Sequence, residues 1–417
     1  MLNIPMNRKH VIIALILLAA LLIFNNILHD IYIKMVSAPT GIKTETNTEQ
    51  ISSQKLFDKT WKIIKKSYYD TDMNEQDWYR WKVHYQGKIK TEDDAYVAIN
   101  TMLASLNDPY SKFMSKKEFE ELNSSIASKI TGIGVNIFSN AGKITVLNVI
   151  EGTPASSAGI KNGDIIFAVN KKEVSGMTIS DVAGLVRGPE NSMVEVTVLR
   201  DDKKLTKNIK RKEIKIKTVK SSVDKNIGYI QIMSFIGSTT SNEFLEALEK
   251  TEKTDGLIID LRGNPGGLLP NAVFIANLFI PEGRIVSVVG RNGFKQDLNA
   301  QKTNFTIDKP IVVLIDHYSA SASEILSGAL KDYKKAKLVG TTTYGKGMVQ
   351  EVLALPNETG LNLTIAKYLT PSGTDINKKG IAPDVNVELT LDDLKKNRDA
   401  QLLMAKKMMN EILKEEK

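Results

Sequence analysis

The 417-residue chain contains no cysteine and only four histidines. Without cysteine it cannot form disulfides, use a thiolate nucleophile or bind zinc through sulfur, so any nucleophile must be an oxygen. A Ser-His-Asp triad would have to use His84 or His317, because the other two histidines flank an apolar N-terminal run. Neither a Gly-x-Ser-x-Gly elbow nor a His-Glu-x-x-His pair occurs, which argues against that triad and against a metal hydrolase. We therefore expect no metal and no cofactor.

The excess of one sign of charge over the other is also small. The 56 Lys and Arg residues exceed the 48 Asp and Glu residues by 8, and this excess is spread along the chain. The absence of a basic block with interleaved aromatic residues argues against nucleic-acid binding. The most basic stretch, residues 203–220, alternates Ile and Lys in its middle, which predicts a strand with one solvated face. With 42% hydrophobic and 25% charged residues, the chain has the composition of folded globular domains.

One long hydrophobic run is present, at residues 11–24, where 14 apolar residues follow Arg8, Lys9 and His10. The positive N-terminal flank predicts that the rest of the chain lies outside the cytoplasm. As a helix the run would span about 21 Å, short of a hydrocarbon core of roughly 30 Å, but residues 27–36 add mostly apolar positions. We predict a retained single-pass anchor in the cell membrane over residues 1–35. A cleaved signal is the alternative, because residues 36–38 resemble a small-residue cleavage site.

Periodicity divides the remainder into four parts after a polar tether at residues 36–51. Helical spacing predicts a helical domain over 52–128, in which Asn107-Asp108-Pro109-Tyr110 forms a turn. A homodimer formed through this domain is a possibility that the sequence does not decide. Short strands predict a β-rich domain over 129–215, with one helix at 179–186. Strands alternating with helices predict an α/β core over 216–395, followed by a C-terminal helix over 396–417. The fold class is therefore a mixed α/β and α+β multidomain protein.

Four ordered motifs resemble one known family. They are Gly132-Ile133-Gly134-Val135, then DLRGNPGG at 260–267, SASASE at 319–324 and YGKGMVQ at 344–350. Together they are similar to the signature of carboxyl-terminal processing (tail-specific) serine proteases, and the resemblance covers roughly residues 52–410. It implies a PDZ-like domain that binds the C-terminal tails of protein substrates, joined to a serine endopeptidase with a Ser-Lys site.

The residue types at 321 and 346 suit that chemistry. Ser321 follows an apolar strand at 311–315 and begins a helix of small residues, where free N–H groups favour developing negative charge. Lys346 lies between two glycines, and a lysine with a free pKa of about 10.4 becomes a base at neutral pH only where a dry site lowers that pKa. If the segment is a strand, position 350 points the same way as 346, so Gln350 can orient the amine. The resemblance assigns the same roles: Ser321 nucleophile, Lys346 base and Gln350 partner.

Two alternatives use the same residues. The Ser/Ala run is equally explained as the capped start of a tightly packed helix. Residues 340–347 nearly match a phosphate-binding loop, but Gly347 replaces the required Ser or Thr, and the following MVQEVLAL predicts a strand in place of the required helix. We therefore favour the peptidase over a nucleotide site.

The remaining site residues are implied by the resemblance. It places the oxyanion-hole donors at the N–H groups of Gly267 and Ala322, with Gly266 as an alternative to the first. A strand-ending turn also explains the two glycines. The residues implied for binding the substrate tail are Gly132, Ile133, Gly134, Val135, Val182 and Leu185.

Two further points concern the PDZ-like domain. Arg187, at the end of the 179–186 helix, is predicted to report tail binding to the active site. The main rival function is a non-catalytic PDZ scaffold on a protease-like fold, and the complete set of Ser321, Lys346 and Gln350 argues against it.

Overall fold

The computed structural model describes residues 47–127, 129–140, 142–302, 306–396 and 398–415. The predicted anchor and most of the tether lie outside these residues. Within the described ranges, no helix combines the length and the apolar character needed to cross a bilayer. The chain forms two compact units, of which one is Ser124–Lys217 and the other contains the described residues on either side of it.

The described chain begins with four helices and one short strand, and side-chain caps start the first and third of these helices. The elements are α1 (Ser53–Ser67), α2 (Tyr79–Tyr85), α3 (Glu92–Ala104), β1 (Lys112–Met114) and α4 (Lys116–Ile126). Ser52 caps α1, and Thr91 and Asp94 form a reciprocal capping box at α3. Such caps satisfy N–H groups that the first helical turn leaves unpaired.

The Ser124–Lys217 unit is a small antiparallel β domain. Its elements are β2 (Lys129–Gly132), β3 (Val135–Asn140), β4 (Lys143–Val149), α5 (Pro154–Ser157), β5 (Ile165–Val169), β6 (Lys172–Glu173), α6 (Ile179–Val186), β7 (Met193–Arg200), β8 (Lys203–Lys210) and β9 (Lys212–Lys215). The main sheet has the order β3-β4-β5-β7-β8, and β2 pairs separately with β9. Because β3 is an edge strand, it can accept a further strand from a ligand. The helix predicted at 179–186 has those bounds in the structure.

After residue 217 the chain forms an α/β structure with two sheets. Its elements are β10 (Val219–Asp224), β11 (Ile227–Ile232), α7 (Thr240–Lys250), β12 (Gly256–Asp260), α8 (Leu269–Asn277), β13 (Arg284–Gly290), a 3₁₀ turn (Arg291–Gly293), β14 (Lys295–Asn299), β15 (Ile311–Ile315), α9 (Ala322–Asp332), β16 (Ala336–Gly340), β17 (Met348–Ala354), β18 (Gly360–Leu369), β19 (Val385–Asn386), α10 (Leu391–Lys395) and α11 (Ala400–Glu415). One sheet has the order β10-β11-β12-β15-β16-β19, and all of its pairs except β10 with β11 are parallel. The second sheet has the order β1-β18-β13-β14, with β17 also paired to β18.

The parallel sheet is covered on both faces, which explains why its central strands are apolar without alternation. Every residue of β12 and β15 is buried. Ile259 and Val313 belong to the core formed with α7, α8 and α9, whereas Ile258 and Val312 belong to the core formed with α11. A methyl group at Gly256 would lie 2.3 Å from Sδ of Met409, so this glycine allows α11 to pack directly on the strand. Each fully buried side chain contributes roughly 1.5–3 kcal/mol.

Strand β1 connects the helical segment to the second sheet. It pairs antiparallel with β18, with Phe113 opposite Leu361. Leu361 and Leu363 also lie in the core formed by α1 and α3. The segment predicted as a helical domain therefore shares a sheet and a core with the α/β part, and the turn before β1 is held against β18.

Candidate active site

Ser321 lies between β15 and α9 in a conformation that non-glycine residues rarely adopt. Its φ is 55° and its ψ is −113°. Such backbone strain costs about 1–3 kcal/mol and persists only where surrounding contacts enforce it. Here the Ser321 N–H donates to Oε2 of Glu324 at 2.8 Å, and the hydroxyl of the fully buried Tyr368 donates to the Ser321 carbonyl at 3.2 Å. The side chain is thereby fixed at the start of α9, where the N–H groups of the first turn have no helical partner.

Glu324 is completely buried and connects the serine segment with the lysine segment. Its Oε1 accepts from the Thr343 hydroxyl at 2.6 Å and from the Gly345 N–H at 2.7 Å. Its Oε2 accepts from the N–H groups of Ser321 at 2.8 Å and Lys346 at 3.0 Å. The motif around Ser321 did not by itself indicate a role for Glu324, although the spacing of three residues between them is that of a capping box.

Lys346 lies in a loop whose two flanking glycines allow a close approach to another segment. A methyl group at Gly345 would lie 2.9 Å from the backbone nitrogens of Lys379 and Gly380, and one at Gly347 would lie 2.8 Å from Cβ of Asn377. The structure thus shows why the residues on either side of Lys346 are glycines. The strand β17 that follows also excludes the helix that a phosphate-binding loop requires.

The Lys346 amine lies beside an aromatic ring in a largely buried position. Its Nζ lies 4.8 Å from the centre of the Tyr110 ring. Burial lowers the pKa of Lys346 below its ordinary value of 10.5, while the charges of Asp108 and Glu324 oppose this effect. A lower pKa increases the fraction of neutral amine at pH 7, which general-base catalysis requires. The amine makes no hydrogen bond with the Ser321 hydroxyl within the described structure, yet the backbone nitrogens of the two residues bind the same carboxylate oxygen.

In the described structure, Gln350 makes no hydrogen bond with the Lys346 amine. Its Nε2 donates to Oγ1 of Thr364 at 3.3 Å. The strand alternation used to align position 350 with position 346 is wrong, because β17 begins at Met348 and has an irregular register between Val349 and Gln350. Orientation of the amine by Gln350 therefore stays a prediction.

Of the adjacent glycines Gly266 and Gly267 in the 263–267 turn, Gly266 lies against the serine. A methyl group at Gly266 would be 2.8 Å from Cβ of Ser321 and 3.0 Å from the nitrogen of Ala322. The Gly266 N–H is already used, since it donates to Oδ1 of Asn264 at 2.9 Å. The Phe235 N–H donates to the Gly266 carbonyl, and the Phe235 carbonyl accepts from the N–H of residue 268. In this parallel bridge the N–H of Gly267 points away from Phe235. Of the two glycines, Gly267 is thus the one that fits a donor beside Ala322.

A groove runs along β3 in the Ser124–Lys217 unit. The lining residues are Ile130, Gly132, Ile133, Gly134, Val135, Asn136, Ile137, Ile150, Ile179, Ala183, Val186, Arg187, Ile214 and Ile216. The structure therefore brings the four residues of the Gly132–Val135 motif and Arg187 into one groove. The lining is mainly aliphatic, with one cation at the end of α6.

The structure corrects the prediction of which α6 residues line the groove. Val182 is fully buried in the core of this unit, and Leu185 packs against that core, so neither lines the groove. The groove wall is formed by Ile179, Ala183 and Val186, which are spaced by four and three residues along one face of the helix. Apolar residues occupy both faces of α6, and the sequence alone did not distinguish them.

Three family models match the chain. They are described as peptidase family S41 at residues 226–387, a PDZ domain at 145–200 and the tricorn protease C1 domain at 52–103. The first contains Ser321, Glu324 and Lys346, and the second contains α6. Tyr110 lies outside all three matched segments.

Similar proteins named for their activity agree with the family match. The chain is 41% identical to the carboxy-terminal processing protease CtpA of Bacillus subtilis over 307 residues, which cover 72% of this chain and 66% of that protein. It is 34% identical to the carboxyl-terminal-processing protease of Synechocystis over 350 residues, covering 81% and 82%. Among solved structures, the photosystem II D1 C-terminal processing protease is 32% identical with a TM-score of 0.55, covering 81% of this chain and 94% of that one.

Proposed function

This chain belongs to peptidase family S41, among its carboxy-terminal processing proteases, and on that premise we propose that it is a serine endopeptidase with Ser321 as nucleophile and Lys346 as general base. The observation that carries the assignment is the lysine's environment: Lys346 is tied through Glu324 to the strained Ser321 backbone, and burial lowers the pKa of its amine.

The reaction proceeds in two steps. The neutral Lys346 amine takes the proton of the Ser321 hydroxyl, and the Oγ attacks the scissile carbonyl carbon. The N–H groups of Gly267 and Ala322 stabilise the oxyanion, and the lysine returns the proton to the leaving amine as the C–N bond breaks. Water then loses a proton to Lys346 and attacks the acyl carbon. As the bond between this carbon and the Ser321 Oγ breaks, Lys346 returns the proton to the Oγ, and the new carboxylic acid ionises into solvent.

The PDZ-like unit supplies substrate recognition in this proposal. The backbone N–H groups of the 132–134 loop receive the carboxylate of a substrate's C-terminus, and the tail adds as a strand to the free edge of β3. The aliphatic groove favours apolar side chains at the end of the tail. Arg187 at its rim is the residue proposed to report occupancy, and the test compares tail-stimulated cleavage by wild type and Arg187→Ala.

The decisive experiment measures cleavage of an unstructured protein with an apolar C-terminus. Ser321→Ala and Lys346→Met should each reduce cleavage by at least roughly 10²-fold while tail-peptide binding is retained. Ser327→Ala, the same type of change farther along α9, is the matched control and should remain active. Equal cleavage by wild type and Ser321→Ala would assign the activity elsewhere, and binding without any cleavage by wild type would favour the scaffold function.

Membrane attachment and assembly are further proposals. A single-pass anchor within residues 1–35, with the folded units outside the cytoplasm, is supported by the apolar run and its positive flank. Mass spectrometry of the mature N-terminus and protease accessibility in spheroplasts test it. A homodimer through the helical segment is supported by Val83 and Val97, whose side chains are 57% and 60% exposed. Light scattering of wild type and Val83→Asp tests this contact.

A further inference from the structure

The proposed base is covered by a residue from outside the S41 segment. Tyr110 lies in the turn before β1, far from Lys346 in the sequence, yet its ring centre is 4.8 Å from the Lys346 Nζ. It is the aromatic ring that the described residues place against this amine. The α/β part alone therefore does not complete the surroundings of the lysine.

The turn that carries Tyr110 is fixed at several points. Its Asp108 carboxylate accepts from the Tyr110 N–H at 3.0 Å and from the Ser111 hydroxyl at 2.6 Å. Strand β18 binds the same turn: the Asn362 amide donates to the Tyr110 carbonyl at 2.9 Å, and the Thr364 N–H donates to the Ser111 hydroxyl at 3.0 Å. These contacts place the ring by backbone geometry, so its position does not depend on the lysine itself.

We infer that Tyr110 is a positioning residue for the base, whose ring covers the Lys346 amine, excludes water from one side of it and holds it within the site. The inference rests on the proposed function of Lys346. Tyr110 acts through the lysine and forms no bond to substrate in this role.

The groups that face the amine allow the sign of the effect to be stated. Asp108 in the same turn and Glu324 on α9 favour the charged ammonium, and the face of the Tyr110 ring also attracts a cation. Burial is the largest influence and lowers the pKa of Lys346. Burial and the neighbouring Tyr344 raise the pKa of Tyr110, so its hydroxyl stays neutral at pH 7. Opening this side to water therefore raises the pKa of Lys346.

Three substitutions at Tyr110 distinguish the effects of the aromatic ring, of its hydroxyl and of apolar bulk alone. Tyr110→Phe retains the ring, Tyr110→Leu retains apolar bulk, and Tyr110→Ala admits water. We expect the rise of kcat with pH to be unchanged in the Phe variant and displaced to higher pH in the Ala variant. At pH 7 the Ala variant should lose roughly 3- to 10-fold in kcat with KM largely unchanged, and should recover at high pH. The Leu variant should show a rise at or below the wild-type pH, because apolar cover remains and the ring's attraction for a cation is lost.

A second measurement uses a small reagent that reacts with Ser321, so the result does not depend on recognition of a protein substrate. A small fluorophosphonate phosphonylates the Ser321 hydroxyl with loss of fluoride, and the pH dependence of this rate should shift in the same direction in each variant. Tyr79→Ala removes an exposed tyrosine from the same helical segment and should leave both profiles unchanged, and thermal unfolding checks folding of every variant. An Ala profile that superimposes on wild type, or a Phe variant as impaired as Ala, would overturn the inference. Residual activity in Ser321→Ala would instead overturn the proposed function.

Discussion

Ser321 and Lys346 donate their backbone N–H groups to the same oxygen, Oε2 of Glu324, at 2.8 and 3.0 Å. The nitrogens of the proposed nucleophile and base therefore cannot separate without breaking a buried charge-assisted hydrogen bond, which is stronger than a neutral one. The carboxylate also holds Thr343 and Gly345, so it organises the whole lysine loop.

Glu324→Gln should separate catalysis from folding. The amide keeps the shape but presents an NH₂ group to N–H donors, leaving them unsatisfied at a cost of about 1–3 kcal/mol. We expect kcat to fall roughly 10²-fold, since small displacements of catalytic groups have effects of that size. Glu243→Gln is the control, because this first-turn carboxylate of α7 also accepts backbone N–H groups, at Thr218 and Val219. It should lose stability and keep kcat, and equal kcat losses in both variants would contradict a specific role for Glu324.

Gly266→Ala should inactivate the site by displacement. The added methyl would lie 2.8 Å from Cβ of Ser321 and 2.6 Å from the Ala320 carbonyl oxygen, so Ser321 or the turn must shift. A decrease in kcat of roughly 10²–10³-fold, the size of a lost oxyanion donor, is expected in steady-state assays. Gly263→Ala is the matched control in the same turn, because it also has a positive φ, of 69°, but no atom within 4 Å of the new methyl. Activity in Gly266→Ala equal to that in Gly263→Ala would contradict the placement.

Activity should rise with pH as Lys346 loses its proton, and Asp108 should control where it rises. The Asp108 carboxylate favours the ammonium form and so raises the pKa of Lys346 against the dominant effect of burial. Asp108→Asn removes that charge and keeps an acceptor for the Tyr110 N–H. The rise of kcat/KM should move to lower pH, and activity on its acidic side should increase roughly 2- to 5-fold. A displacement towards higher pH would show that the substitution disturbs the turn more than it changes the charge.

The two faces of α6 should respond differently to substitution. Ala183→Glu places a charged side chain in the groove of the PDZ-like unit and should weaken binding of an apolar tail peptide at least roughly 10-fold, measured by fluorescence anisotropy. Val182→Ala opens a cavity in the core instead, and should lower the free energy of unfolding of this unit by about 1–3 kcal/mol with little effect on binding at low temperature. The reverse pattern would restore the assignment made from the sequence.

The sequence predicted the elements of the α/β part because long apolar strands and period-3.6 helices carry strong local signals. The strand expected at 311–315 is β15, and the helix expected to begin at Ser321 is α9 at Ala322–Asp332. The serine, lysine and glycine segments also meet, as their order in the motifs implied. What local pattern could not supply was the partner of each segment.

Three outcomes show this limit. Strand β1 has only three residues, which is too short for a periodic pattern to predict it. Its pairing with β18, which brings Tyr110 to the lysine, was therefore not predicted. Gln350 was aligned by assuming a regular strand, and the strand is neither regular nor long enough. On α6, apolar residues on both faces left the orientation of the helix undetermined until packing decided it.

The helix α11 has a consequence for biogenesis. Its Ala405, Met409 and Leu413 cover one face of the parallel sheet, and Met409 occupies the space above Gly256. Because ribosomes make proteins from the N-terminus onward, that face stays open to solvent until residues 400–415 have been synthesised. The parallel sheet therefore acquires the apolar cover of its second face only when this last helix packs onto it.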